Sequence, residues 1–157
     1  MPKRRLALAS AALLSLLGMG QAQSRNPPPD LTPLTERPSA HAGTTVRIAV
    51  TVRLAEDLHT QSNKPRDPTL RPTRLTIDTP AGVSAGEIVF PTPIDIRLPG
   101  YDQPVAVFER EFTIGAELDL AADVPAGALT LPGHLYYQAC NDTMCFTPKT
   151  VHTSWTV

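Results

Sequence analysis

Five apolar residues at every second position, Val46, Ile48, Val50, Val52 and Leu54, alternate with Thr45, Arg47, Thr51 and Arg53. A period of two sends one set of side chains to one face of an extended chain and the other set to the opposite face. Residues 44–54 therefore read as a strand with one buried and one wet face. The pattern recurs in shorter pieces: Leu75 and Ile77 between Arg74, Thr76 and Asp78; residues 88–90, 105–114, 129–131 and 135–140; and Val151, Trp155 and Val157 at the end. Turn signals separate them, among them Pro80-Ala81-Gly82, Pro91-Thr92-Pro93, Pro99-Gly100, Pro125-Ala126-Gly127 and Pro132-Gly133. About seven strands without a credible amphipathic helix predict an all-β fold, an antiparallel β-sandwich of immunoglobulin-like type. Residues 116–122 offer at most a helical turn, limited by Pro125.

The N-terminal flank carries other information. Lys3, Arg4 and Arg5 precede an apolar stretch, residues 6–19, and then Gly20-Gln21-Ala22, with small residues where a signal peptidase reads. Residues 1–22 read as a secretory signal peptide, an uncleaved anchor being the alternative. Residues 23–42 hold Pro27, Pro28, Pro29, Pro33 and Pro38 with few large apolar side chains, and read as a Pro-rich disordered leader. The folded domain is expected over residues 43–157. Cleavage after Ala22 takes 22 of the 157 residues and leaves 135, enough for one domain with its own core. It also takes three of the 14 basic residues, leaving 11 against 15 acidic ones, a net of −4. Nothing in that balance favours nucleic acid or an anionic membrane.

The two cysteines of the chain, Cys140 and Cys145, stand in a stretch that otherwise reads as two strands and a turn. Residues 135–139 and 146–151 would be neighbouring strands and residues 141–144 the turn. Asn141 and Asp142 suit it, because their side chains hydrogen-bond their own backbone. Pro148 fits a sheet edge or end. A bridge there closes a ring of about six residues, which loop-closure entropy values at roughly 2 kcal/mol, near the low end for a cross-link. Bridges that serve stability tie distant strands. In an oxidising compartment, this pair reads as a reversible redox couple at the tip of a rigid scaffold.

The run YYQACNDTMCFTP (residues 136–148), with LHTQSNKPRDP (residues 58–68) and Pro72-Thr73, resembles the N-terminal periplasmic domain of the DsbD family of protein-disulfide reductases. The resemblance spans residues 44–157. It implies an immunoglobulin-like periplasmic domain that takes electrons from a thioredoxin-like donor and passes them to oxidised client proteins. Cys145 would form the mixed disulfide with partners and Cys140 would resolve it. The family's cap loop over the cysteines would correspond to residues 95–101, with Leu98 or Tyr101 as the covering side chain. The resemblance implies no cofactor, and no membrane contact once the signal is removed. A relay of this kind has no small-molecule substrate of its own. Two departures stand out. No membrane or thioredoxin-like domain follows before Val157, so the donor is expected to be a separate protein, and the cysteine spacing is one residue shorter than in some members.

Exchange requires a thiolate, and within the turn no Lys, Arg or His stands ready to favour one. The nearest basic residues are Lys149, His134 and His152, while Asp142 disfavours the anion, so activation is expected to come largely from the partner. Tyr136, Tyr137 and Phe146 would shield the sulfurs and offer contact area to a docking domain. Two other readings stay open: a partner-binding sandwich with an inert hairpin bridge, and a metal module built from Cys140, Cys145, His134 and His152 with Met144 as a soft extra. His59 reads as a strand-end polar residue rather than a catalytic base, Trp155 as core, and Ser62-Asn63-Lys64-Pro65 as a turn or strand edge rather than a binding loop. No phosphate-binding loop, nucleophile elbow or metalloprotease helix is present.

Overall fold

Alternating strands of this kind must pair on their edges and bury one face, and the computed structural model, which describes residues 26–157, meets both demands with antiparallel sheets alone. The signal-peptide reading of residues 1–22 falls outside the described residues. Among the described residues eleven strands follow in order: β1 (Asp30–Thr35), β2 (Thr45–Arg53), β3 (His59–Gln61), β4 (Arg74–Ile77), β5 (Val83–Val89), β6 (Ile94–Ile96), β7 (Val105–Glu109), β8 (Glu111–Leu120), β9 (Thr130–Tyr137), β10 (Ala139–Cys140) and β11 (Lys149–Thr156). They form three sheets, ordered β1-β2-β8-β5, β10-β3-β7-β6 and β11-β9-β4.

In the first sheet, the alternation of β2 is answered by β8. Val46, Ile48, Val50 and Val52 face inward beside Phe112, Ile114 and Leu118. The outer face is a polar ladder. Arg47 Nε donates to Glu117 at 3.2 Å, Arg53 Nε to Glu111 at 2.8 Å, and the Thr51 and Thr113 hydroxyls lie 3.1 Å apart. Such exposed pairs set register more than they add stability. Leu131, Leu135, Tyr137 and Trp155 close the core from β9 and β11. The buried Trp155 indole also donates Nε1–H to the Ala49 carbonyl at 2.6 Å, tying β11 to β2. The fold is the expected immunoglobulin-like β-sandwich.

Four details differ from the sequence reading. The leader is not disordered throughout: β1 pairs with β2 over six residues, Leu31 packs on the core, and Pro33 lies opposite Val50. An edge strand tolerates a proline because one side of it needs no N–H donors. The domain thus begins near residue 30, not 43. Residues 105–114 form two strands, because Arg110 adopts a φ of 53° and turns the chain from the second sheet into the first. Conversely, Pro132-Gly133 is no turn: both lie inside β9, opposite Ser154 and Thr153. The helical turn over residues 116–122 is absent, since β8 runs to Leu120.

Candidate functional site

Tyr137 lies opposite Lys149 in the β9–β11 ladder, and beyond it Cys140 lies opposite Cys145. Two residues separate the first pair from the second on one strand and three on the other. The second strand thus carries one extra residue, a bulge. The Gln138 side chain fills the irregularity, donating Nε2–H to the Phe146 carbonyl at 2.9 Å. This kink moves the chain to a new partner. β10 leaves the β9 sheet and pairs with β3, placing Ala139 opposite Thr60 and Cys140 opposite His59.

The tip itself is held by backbone and by one side chain. Phe146 N–H donates to Ala139 O at 2.8 Å, and Asn141 N–H to Met144 O at 2.9 Å. Asn141 Oδ1 accepts from the Thr143 amide at 3.0 Å, the Thr143 hydroxyl at 3.0 Å and the Met144 amide at 2.8 Å. These bonds flank Cys140 and Cys145, leaving them as a non-hydrogen-bonded pair, the register position at which opposing Cα atoms come closest. Their Cα atoms are 4.0 Å apart and the sulfurs are bonded. The two ends of the bridge differ in access. Cys140 is 1 % exposed, whereas Cys145 is exposed, as is Met144 beside it.

Which way the bridge faces follows from the rows of the second sheet. Ala139, Thr60 and Phe108 form one row, and Ala139 and Phe108 belong to the core. Cys140, His59 and Glu109 form the next row, so they point to the opposite face. His59 is buried there, with its Nε2 lacking a hydrogen-bond partner. Burial pushes its imidazole below the ordinary histidine range, opposed by the charges of Glu109 and Asp142. A hollow of about 410 Å³ opens beside it, lined by Glu56, Asp57, His59, Glu109, Arg110 and Asp142 among others.

Not every residue named from sequence comes to this place. Phe146 does: it is half-buried, follows Cys145 and packs on the core. Tyr136 and Tyr137 take opposite faces, as alternation requires. Tyr137 is core, and Tyr136 is half-buried opposite Thr150 and Arg74. Leu98 and Tyr101 do not come near. They lie in the loop after Ile96, which pairs with Val105 at the far end of β7 from Glu109. Four residues of extended strand separate those ends by about 13 Å. Tyr101 instead lines a hollow with Arg66, Asp67 and Leu70. The cap reading of residues 95–101 is therefore corrected: this loop does not cover the cysteines.

The four candidate metal ligands are not gathered either. His134 and His152 face each other across β9 and β11, with ring centroids 5.9 Å apart. Among the described residues, no group of three or more His, Cys, Asp or Glu side chains could hold a metal ion. The segment after β3 is a strand end that bends away: Ser62 N–H still donates to Ala106 O at 2.9 Å, and the chain turns from Asn63. Thr73 N–H donates to Ser62 O at 3.3 Å, and Arg66 clamps Asp95 at 2.7 and 2.9 Å. Sequence reasoning missed His59 as a neighbour of the cysteines. Its three-residue strand is too short to show alternation, and only the tertiary pairing of β3 with β10 reveals it.

Comparison with known proteins adds an independent line. The model of the family described as "Thiol:disulfide interchange protein DsbD, N-terminal" matches residues 30–155. No curated protein sequence matches. Among solved structures, the N-terminal periplasmic domain of ScsB from Proteus mirabilis superposes with a TM-score of 0.55 at 17% identity. The match covers 81% of this chain and 46% of that one, so this chain spans less than half of that domain's length. The reduced N-terminal domain of DsbD from Neisseria meningitidis gives a TM-score of 0.44 at 17% identity, covering 75% of this chain and 78% of that one.

Proposed function

Because the chain belongs to the family of DsbD N-terminal thiol:disulfide interchange domains, we propose that it relays electrons outside the cytoplasm through the Cys140–Cys145 couple. A thioredoxin-like donor would reduce the pair, and the dithiol would then reduce the disulfide of an oxidised client. The observation that carries this reading is the asymmetry of the bridge, with Cys145 open to solvent and Cys140 enclosed. An incoming sulfur must approach in line with the bond it breaks, so the exposed sulfur is the one a partner protein reaches. Cys145 accordingly forms the mixed disulfide, and Cys140 attacks it from behind to release the partner. Phe146, Met144 and the outer side of Tyr136 supply apolar contact area around the tip for a docking domain.

Equilibrium titration against a glutathione or dithiothreitol buffer tests the couple. A bridge that opens reversibly at a potential above about −300 mV supports exchange, and one that resists reduction below that value is structural. Trapping tests the roles. Cys140→Ser should accumulate mixed disulfides with a thioredoxin-like protein, whereas Cys145→Ser should accumulate none. Equal trapping by both variants would contradict the assignment.

A further inference from the structure

We infer that His59 is the group that takes the proton from the Cys140 thiol when Cys140 resolves a mixed disulfide on Cys145, an assignment that rests on the exchange reading above. Cys140 and His59 are direct cross-strand partners in the β10–β3 ladder, with side chains on the same face. Such partners have Cβ atoms about 4.5–5.5 Å apart, within reach of an imidazole nitrogen and a sulfur. Both residues are enclosed, at 1 % and 3 % exposure, so bulk water is a poor proton acceptor for this thiol. In the disulfide state neither sulfur carries a proton, and His59 Nε2 stands buried without a partner. Buried nitrogen without a partner is rare and calls for a reason. The reduced Cys140 thiol supplies one, as a donor that exists only in the other redox state.

The surroundings suit the task. The imidazole is neutral at pH 7, being held below its ordinary range by burial, and is thus able to accept a proton. Glu109 on β7 and Asp142 in the tip face it and stabilise the imidazolium once formed, while Glu56, Asp57 and Arg110 line the same hollow and connect it to solvent. Gln61, two residues along on the same face, is also buried, but an amide cannot take the proton. In the step, Cys140 Sγ attacks Cys145 Sγ, the Cys140–Cys145 bond forms, and the bond from Cys145 to the client sulfur breaks. The electron pair leaves on the client sulfur. The Cys140 proton passes to His59 Nε2 and then, through the hollow, to solvent, which relays a proton to the departing thiolate. The two cysteines lose two electrons, and the client disulfide has gained them.

Reduced protein mixed with dithiobis(nitrobenzoate) separates the steps. Attack by Cys145 releases the first coloured thiolate, and closure by Cys140 releases the second. His59→Gln should leave the first phase unchanged and slow the second by about 100-fold at neutral pH, the low end of what a positioned general base contributes. The wild-type second phase should also fall off at acid pH as the imidazole protonates, and His59→Gln should instead follow a single thiol ionisation. His59→Asn serves as a second variant, with circular dichroism and the first phase reporting that each is folded. An unchanged second phase in the folded variants overturns the role of His59 alone. Reduced wild-type protein that releases no coloured thiolate overturns the exchange reading itself, and with it this inference.

Discussion

Gly133 is small because two neighbours leave it no room. A Cβ there would sit 2.6 Å from Trp155 Cζ3 and 2.9 Å from the Thr76 carbonyl oxygen, one a core indole and the other backbone. Gly133→Ala should therefore destabilise the fold by about 1–3 kcal/mol, the range for overpacking a core, as a lower urea midpoint with unchanged slope. His59 sets a pH dependence of its own. Its folded pKa lies below the ordinary value of about 6.5, so between those two values the unfolded chain binds the extra proton. Stability should fall as pH drops from about 6.5 toward the folded pKa and stay level above about 6.5, with a slope of at most about 1.4 kcal/mol per pH unit from this group. Urea melts of wild type and His59→Gln across that window would show it as a steeper acid decline in the wild type.

Arg110 and Asn141 act on whole elements. Arg110 turns β7 into β8 with a left-handed backbone, and its carbonyl accepts the Leu54 amide at 2.7 Å where the chain leaves β2 for β3. Glycine adopts that backbone freely and a β-branched residue does so at greater cost. Arg110→Gly should raise stability by up to about 1 kcal/mol, and Arg110→Val should lower it by about 1–2 kcal/mol, read as opposite shifts in thermal midpoint. Residues 105–114 read as one strand although Glu109-Arg110-Glu111 interrupts the apolar pattern at the corner. No glycine or proline marks that corner, and a charged run reads equally well as a solvated stretch of one strand, so the break is only faintly legible. Asn141 was legible as a turn residue, and its carbonyl oxygen accepts three hydrogen bonds at the tip. Asn141→Ala should cost about 1 kcal/mol and speed hydrogen exchange at the Thr143 and Met144 amides.

For the molecule as a whole, two changes separate the scaffold from the site. Replacing Cys140 and Cys145 together by Ser should remove only about 2 kcal/mol, because the ring they close is short, and leave a cooperative unfolding transition. Deleting residues 23–42 should do more harm, since it strips β1 from β2 and uncovers the core where Leu31 packs. A lower thermal midpoint than that of a chain starting at residue 26 would show it. By sequence pattern alone this segment falls outside the domain, because prolines and sparse apolar residues resemble a linker. An edge strand needs only half of its backbone paired, and so carries such a sequence without penalty.

Period-two alternation, turn residues and the absence of helical periodicity sufficed for an all-β sandwich, because local chain geometry alone decides which side chains share a face. They also sufficed for the hairpin that joins Cys140 to Cys145, whose partners lie within a few residues of each other. Contacts between distant segments obey no such local rule. The bulge after Tyr137 that hands β10 to β3, the resulting pairing of Cys140 with His59, and the placement of Leu98 and Tyr101 at the far end of β7 came only with the packed sheets. A strand's partner is chosen by the burial of the whole core and not by its own residues.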